Sequence, residues 1–190
     1  RLCGGSHLSE VLKLEPTPPA NAFVTKAQRD QRQPTFPLDV FFCEGCHHLQ
    51  LLDVVDPEVL FKNYVYVSGT SPVFVKHLEG YATFVVEKYA PATGSLVFDI
   101  GSNDGTLLKA FNKVGYRVLG VDPAHDIAAQ ASADGIETIN GFFSSAMAFC
   151  CAQSKILSTI SELAICLIVS FVNSKVEPNC FDSVINFSLV

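Results

Sequence analysis

Leu96-Val-Phe-Asp-Ile-Gly-Ser-Asn-Asp-Gly-Thr-Leu-Leu108 decides how the rest of the chain is read. An apolar run from Leu96 to Phe98 ends in Asp99, a tight turn carries Gly101 and Gly105, and Thr106-Leu107-Leu108 opens a helix. Strand, glycine turn and helix in that order are the first unit of an open α/β nucleotide-binding sheet. Glycine at 101 and 105 lets the backbone approach a ligand where a Cβ would intrude. The N–H groups that begin the next helix point into the same crevice.

The spacing bears on the ligand. A dinucleotide fingerprint requires G-x-G-x-x-G and presents its helix N-terminus to a pyrophosphate. Here the pattern is Asp99-x-Gly101-x-Asn103-x-Gly105, with the carboxylates of Asp99 and Asp104 flanking the turn. Negative charge there repels a diphosphate and suits a ligand bearing an ammonium and a sulfonium. Asn103 stands where glycine is common, and Asn tolerates the left-handed conformation best among the other residues. The next strand, Tyr116-Arg-Val-Leu-Gly-Val121, ends in Asp122. That is about 20 residues beyond the turn, where an acid can take ribose hydroxyls. Acids ending consecutive strands resemble the S-adenosylmethionine methyltransferases. A plain Rossmann-like turn binding something else, or nothing, is the competing reading.

Of 190 residues, 48% are hydrophobic and 17% charged, which is ample for a core and argues against disorder. The net charge of −6, without a Lys/Arg block, excludes nucleic acid and an anionic membrane as expected partners. The chain starts at Arg1 with neither Met nor signal peptide and reads as a fragment. Seven cysteines, odd in number and unpatterned, do not suggest a secreted disulfide framework. A cytoplasmic location, with clustered Cys serving metal, is the expectation.

Near the N-terminus Cys3-Gly-Gly5 is knuckle-like, and Leu8 to Leu14 alternates apolar residues. Pro16 to Pro37 holds five of the ten prolines and reads as extended loop. Pro37 to Phe42 is a predicted strand running into Cys43-Glu-Gly-Cys46, with Leu49 to Leu52 returning. A C-x-x-C on a tight turn between strands is half of a tetrahedral zinc site, and Cys3 would be a third thiolate. The fourth ligand is open. His7, His47 and His48 are candidates, although the last two follow Cys46 too closely to turn easily onto the same ion. A Cys upstream of Arg1 is the preferred alternative. Cys43 and Cys46 could instead be a redox pair or inert thiols, but no thioredoxin-type βαβ unit surrounds them.

Asp56-Pro-Glu-Val-Leu-Phe61 begins as a short helix with Pro57 in its first position. Ser71 and Pro72 are a good N-cap and first residue for a helix over 72–89. Val73, His77, Tyr81, Phe84 and Val85 fall near one stripe, widened by Val86 and Tyr89, which predicts the packed face. His77 on that stripe reads as a core or rim residue rather than a catalyst. Tyr64 and Tyr66 are as compatible with strand or loop packing as with function.

The chain resembles the S-adenosylmethionine-dependent sugar C-methyltransferases acting on nucleoside-diphosphate 4-keto-6-deoxyhexoses. The matching pieces are Arg1-Leu-Cys3-Gly4, Cys43-Glu-Gly-Cys46, Gln50-Leu51, Asp56-Pro-Glu58, Leu60-Phe61, Tyr64-Val-Tyr66, Ser68-Gly-Thr-Ser71, His77, Phe98 to Leu108, Leu119-Gly-Val-Asp-Pro-Ala124 and Gly141-Phe-Phe-Ser144. They occur in family order up to about residue 145 and are specific jointly rather than singly. The resemblance implies an N-terminal zinc-binding domain, a Rossmann-like methyltransferase domain and a C-terminal sugar-nucleotide domain. It makes Cys3, Cys43 and Cys46 three of four zinc thiolates, the first family Cys lying before Arg1. It makes Asp99, Gly101, Asn103, Asp104 and Gly105 the cofactor turn, Asp122 the acid on the cofactor ribose, and Phe142 an aromatic near the adenine. Tyr64 and Tyr66 fall in the segment that closes over the substrate, and stand as the candidate catalytic residues.

Beyond about Ser145 the pattern departs. The family would supply a fourth strand and an Asn-containing turn with a catalytic His, yet no His follows His125. Leu163 to Val172 is too short for the ~20 residues of a membrane span and reads as a buried helix or as part of a foreign tail. The expected fold is therefore α/β, with a small zinc-binding β-rich N-terminal domain (1–62), a partial Rossmann-like domain binding S-adenosylmethionine (63–145), and a departing tail (146–190). Strands are predicted at 95–99, 116–121 and 136–139, helices at 72–89, 105–114 and 125–134, with Gly115 and Gly135 as helix stops. The implied activity is methyl transfer to C3 of a nucleoside-diphosphate 4-keto-6-deoxy sugar. Two alternatives stay open, a non-catalytic zinc-knuckle module that binds S-adenosylmethionine and a methyltransferase with another small-molecule acceptor. Whether this chain is itself an enzyme is open too, because the family's catalytic His and C-terminal half are missing from it.

Overall fold

The computed structural model describes residues 2–144, 146 and 147, and the backbone of 165–167. The chain divides between Leu60 and Phe61 into two compact units. In the first, strands β1 (Leu8–Leu12), β2 (Val40–Cys43) and β3 (Leu49–Leu51) form an antiparallel sheet in that order. The alternation from Leu8 is thus a strand, with a register shift between Glu10 and Leu12 where β1 pairs with β2. The strand expected from Pro37 begins only at Val40 and takes in Cys43. Proline has no N–H for a ladder, so pairing starts beyond it. The Pro16–Pro37 stretch is tied by one bridge, Thr17 to Phe36, and contains a 3₁₀ turn at Lys26–Gln28. Among the described residues of this unit only Cys43 and Gln50 are buried.

A short helix, α1 (Pro57–Phe61), starts at the proline expected to open it. In the second unit α2 (Pro72–Tyr89) has the predicted limits. The Ser71 hydroxyl accepts from the Phe74 amide at 3.3 Å, and the helix ends at Ala90 in the left-handed region. There follow β4 (Leu96–Ile100), α3 (Thr106–Lys113), β5 (Arg117–Asp122), α4 (His125–Ala133) and β6 (Thr138–Asn140). Each element lies within a residue or two of its expected position, and Gly115 and Gly135 stop α3 and α4 with φ of 92° and 87°.

The strands run parallel in the order β6-β5-β4-β7, with β7 at Ile165–Leu167. Numbered within the sheet this is 3-2-1-4, the Rossmann order. β7 corrects two expectations, since part of the Leu163–Val172 run is strand rather than helix and a fourth strand is present. A short apolar run fits either element, so periodicity alone could not choose. The expectation of a foreign tail otherwise lies outside the described residues.

Both faces of β4 are buried, as a central parallel strand requires. Val97 packs with Leu107, Leu108 and Phe111 of α3 and Leu78, Ala82 and Val85 of α2. Leu96, Phe98 and Ile100 pack on the other side with Leu119, Val121 and Phe143. The packed face of α2 shares Val85, Tyr81 and Val86 with the predicted stripe, but Val73, His77, Phe84 and Tyr89 are exposed. Leu78 and Ala82, four apart, set the buried row instead, and His77 stacks on Phe74 at 6.1 Å.

Gly105 is required twice over. Its φ is 72°, and a Cβ there would lie 2.8 Å from Ile136 Cγ2. Gly115, at φ 92°, would meet nothing within 4 Å. Gly115→Ala should cost about 1–2 kcal/mol of backbone strain, and Gly105→Ala about 2–4 kcal/mol because overpacking adds to it. Urea denaturation of the two variants reads the difference, and equal losses would show that the Ile136 contact counts for nothing.

Candidate functional site

Register places the two acids. Asp99 of β4 pairs with Gly120 of β5 in the parallel ladder. Side chains alternate along a strand, so Asp99, Gly120 and Asp122 share a face with Val97 and Val118. Those valines belong to the core beneath α2 and α3. At the carboxyl ends of the strands this face opens into a cavity of about 480 Å³. Asp99, Gly101, Asn103, Asp122 and Phe142 line it, as do Tyr64 and Tyr66. Asp104 and Gly105, expected among the ligand-binding residues, do not.

Asp122 is held by two backbone donors. One carboxylate oxygen accepts from the Asn103 amide and the other from the Ala124 amide, both at 2.8 Å. Burial pushes its pKa up, while these two amides pull it down. Asp99 has no such support: it is 2% exposed, and one of its oxygens has no partner among the described residues. Burial first, and then the charge of Asp122, push its carboxyl up to about 7. The Ser102 hydroxyl, on the same cavity wall, is also buried and unpartnered among the described residues. It fits there because position 120 is glycine; a Cβ would collide with the Ser102 side chain. Buried polar atoms without partners are rare, and on a cavity wall they mark where a ligand's donors arrive.

The turn departs from expectation in one respect. Gly101 and Asn103 have the positive φ the sequence implies, 80° and 52°. Asp104, however, does not face the cavity. One of its oxygens accepts from the Thr106 amide (3.2 Å) and hydroxyl (2.7 Å), the other from the Gly69 amide at 3.0 Å. It closes an Asx turn at the start of α3, where carboxylates are favoured by the exposed N–H groups. Sequence reasoning missed Ser102, Thr106, Phe61, Phe74 and Phe143 on the cavity wall. Ser102 could have been found, since it lies inside the quoted turn; the phenylalanines carry no local signal.

A second cluster lies in the first unit. The sulfurs of Cys3, Cys43 and Cys46 are all within 4.8 Å of one another, with Cys3 and Cys43 at 3.5 Å. Zn–S bonds of about 2.3 Å in a tetrahedron put sulfurs roughly 3.8 Å apart, so the spacing fits zinc. The Cys43 amide donates to His48 O and the His47 amide to Cys43 O, closing the knuckle at 2.9 and 2.8 Å. Amide donors from Cys46 and Gly45, and then the Cys3 thiol, hold Cys43 down at about 7. That favours the thiolate a metal needs. His47 stacks on Phe42 at 5.7 Å, and among the described residues no His, Cys, Asp or Glu joins the three as a fourth ligand.

Comparison with known proteins bears on both units. Residues 1–61 match the family described as "Putative zinc binding domain". The chain is 35% identical over 143 residues to the C-methyltransferase NovU of Streptomyces niveus. That match covers 75% of this chain and 34% of the relative, so the chain spans about a third of that protein's length. Magnesium protoporphyrin IX methyltransferase of Synechocystis PCC 6803, solved with S-adenosylmethionine bound, is similar in structure. It is 17% identical with a TM-score of 0.33, covering 36% of each chain. No helix among the described residues is long and apolar enough to cross a membrane. The chain is thus similar in its N-terminal unit to a zinc-binding domain family and, over most of its length, to a C-methyltransferase.

Proposed function

We propose that this chain binds S-adenosylmethionine at the carboxyl ends of β4 and β5. In the whole protein that site would serve methyl transfer to C3 of a nucleoside-diphosphate 4-keto-6-deoxy sugar. The observation that carries the reading is the shared face of Asp99 and Asp122, with one buried Asp99 oxygen unpaired at the cavity. In this reading residues 1–62 form the zinc-binding domain and 63–145 the cofactor-binding part, and the protein works in the cytoplasm without nucleic acid or membrane.

The roles follow from the chemistry of each group. Asp122 keeps lone pairs beyond those taken by Asn103 and Ala124, and these can accept two ribose hydroxyls. Asp99 would face the ammonium of the methionine moiety, whose charge relieves the cost of its own. Gly101 admits the ligand to the backbone, and Phe142 offers a ring face to adenine. When bound, S-adenosylmethionine supplies an electrophilic methyl group on a sulfonium. In the acceptor the C4 ketone acidifies the C3 proton, so a base and a donor to the developing enolate oxygen are needed. Tyr64 and Tyr66, with rings 6.5 Å apart on the cavity wall, are assigned to orient the sugar and share its proton transfers. Cys3, Cys43 and Cys46 would hold a structural zinc ion whose charge keeps them as thiolates.

Calorimetric titration with S-adenosylmethionine tests the cofactor site. Asp122→Ala should weaken binding at least tenfold, and equal affinity in both proteins would end the Asp122 assignment. Binding without turnover on a panel of keto-sugar nucleotides would favour the binding-module reading instead.

Asp99 gives the site a pH dependence whose sign can be worked out. Its carboxyl binds a proton more tightly folded (about 7) than at the ordinary value of 3.8. The stability this contributes is full below about pH 4, declines as pH rises toward 7 and is gone above. Asp99→Asn should therefore flatten the fall in melting temperature between pH 5 and 8. Cation binding has the opposite slope, because it needs the ionised acid. Wild-type affinity for S-adenosylmethionine should rise several-fold from about pH 6 to 7.5, and Asp99→Asn should abolish that rise. A wild-type affinity flat across this range would remove the ammonium contact.

For the metal, protein loaded with zinc should hold about one ion by mass spectrometry, falling to background in Cys43→Ser. A chelator should then melt the β1–β3 sheet while amides in β4 and β5 stay protected. Full zinc in Cys43→Ser would exclude that thiol as a ligand.

A further inference from the structure

Asn103 does more than the turn requires. At φ 52° the backbone would be better served by glycine, which pays no left-handed penalty. Its carboxamide explains the exception. The oxygen accepts from the Ser68 amide at 2.8 Å, and the nitrogen donates to Tyr66 O at 2.9 Å. Both partners are more than thirty residues away in sequence, on the segment that carries the two tyrosines. The Asn103 amide meanwhile donates to Asp122 at 2.8 Å.

We infer that Asn103 is a positioning residue that fastens the Tyr64–Ser68 wall of the cavity to the carboxylate of Asp122. One residue thus joins the acid end of the cavity to its aromatic end. Its backbone orients Asp122, and its side chain fixes the chain direction at Tyr66 and Ser68. A neighbouring bond from Gly69 to Asp104 secures the next residue. Tyr66 is 43% exposed, and the aromatic contacts nearby run along the segment, Phe61 to Tyr64 at 6.1 Å and Tyr64 to Tyr66 at 6.5 Å. A ligand that draws on Asp122 is thereby felt at Ser68 through the Asn103 side chain. The coupling to ligand rests on the cofactor reading above; the fastening of the wall does not.

Asn103→Gly is the discriminating variant, because glycine keeps the left-handed turn and the amide to Asp122 while deleting both bonds to the wall. Asp104 is left intact, since its loss would also disturb the start of α3. Hydrogen exchange is followed with and without S-adenosylhomocysteine. In the ligand-free variant the Ser68 amide should exchange about tenfold faster than in wild type, with β4 and β5 amides unchanged. In wild type the ligand should slow Ser68 further, and in Asn103→Gly, titrated to saturation with ligand, that additional slowing should vanish. Asn103→Asp, which keeps the acceptor for Ser68, should restore most of its ligand-free protection. Equal Ser68 exchange in wild type and Asn103→Gly overturns the inference, as does ligand-induced slowing that survives in the variant. If wild type fails to bind S-adenosylhomocysteine, the cofactor reading and the coupling fall together. The ligand-free comparison still decides whether Asn103 holds the wall.

Discussion

Two carboxylates on one face of a parallel sheet, only 2% and 6% exposed, are by themselves an unfavourable arrangement. Like charges in a low-dielectric setting repel strongly, and each also loses hydration. The fold solves half of the problem. Asp122 is given two amide donors from the turns that follow β4 and β5. Asp99 is given none for one of its oxygens, and its pKa rises to about 7. The rest of the second unit follows from keeping that pair together. Gly120 is bare so that Ser102 can pass over it, and Gly105 is bare so that Ile136 can close beneath the turn. A site that costs stability when vacant is the common accompaniment of specific binding.

The turn itself divides its labour by residue. Gly101 and Asn103 both have positive φ, but only the glycine is there for conformation alone. Asn103 and Asp104 turn their side chains to a segment some thirty-five residues earlier, which makes the turn a joint between the sheet and the tyrosine wall. Charge counting along the sequence would assign Asp104 to the ligand. In three dimensions the amide of Thr106, two residues away, competes for that carboxylate and wins, because a buried helix start leaves N–H groups that need acceptors.

Legibility in the sequence follows the range of the interaction. The β4–turn–α3 unit and the limits of α2 were readable because their signals are local: an apolar run into Asp99, Gly101 and Gly105, Ser71 before Pro72. The shared face of Asp99 and Asp122 was readable in outline, since acids closing successive parallel strands point the same way when the register agrees. The packed face of α2 was readable only in part, at Tyr81, Val85 and Val86. Apolar residues surround most of that helix, so several stripes are compatible with its sequence, and only docking on α3 adds Leu78 and Ala82 to the buried row. The strand at Ile165–Leu167 was hidden for a related reason, an apolar run without periodicity whose state is set by the open edge of β4.

The first unit depends on a different constraint. About sixty residues with only a thiol and a glutamine buried among those described cannot rest on a hydrophobic core. Leu12, Leu49 and Leu52 are each 42–55% exposed, so the sheet contributes little apolar burial of its own. What the unit does have is a knuckle that brings three sulfurs from distant positions within 4.8 Å, one of them already biased toward thiolate by backbone amides. Small domains that lack a core are stabilised by disulfides or metals. These three cysteines are free thiols, and an odd set cannot pair off completely among themselves. A metal ion would use all three, and in the proposed reading the cluster would then allow β1 to β3 to persist as a sheet.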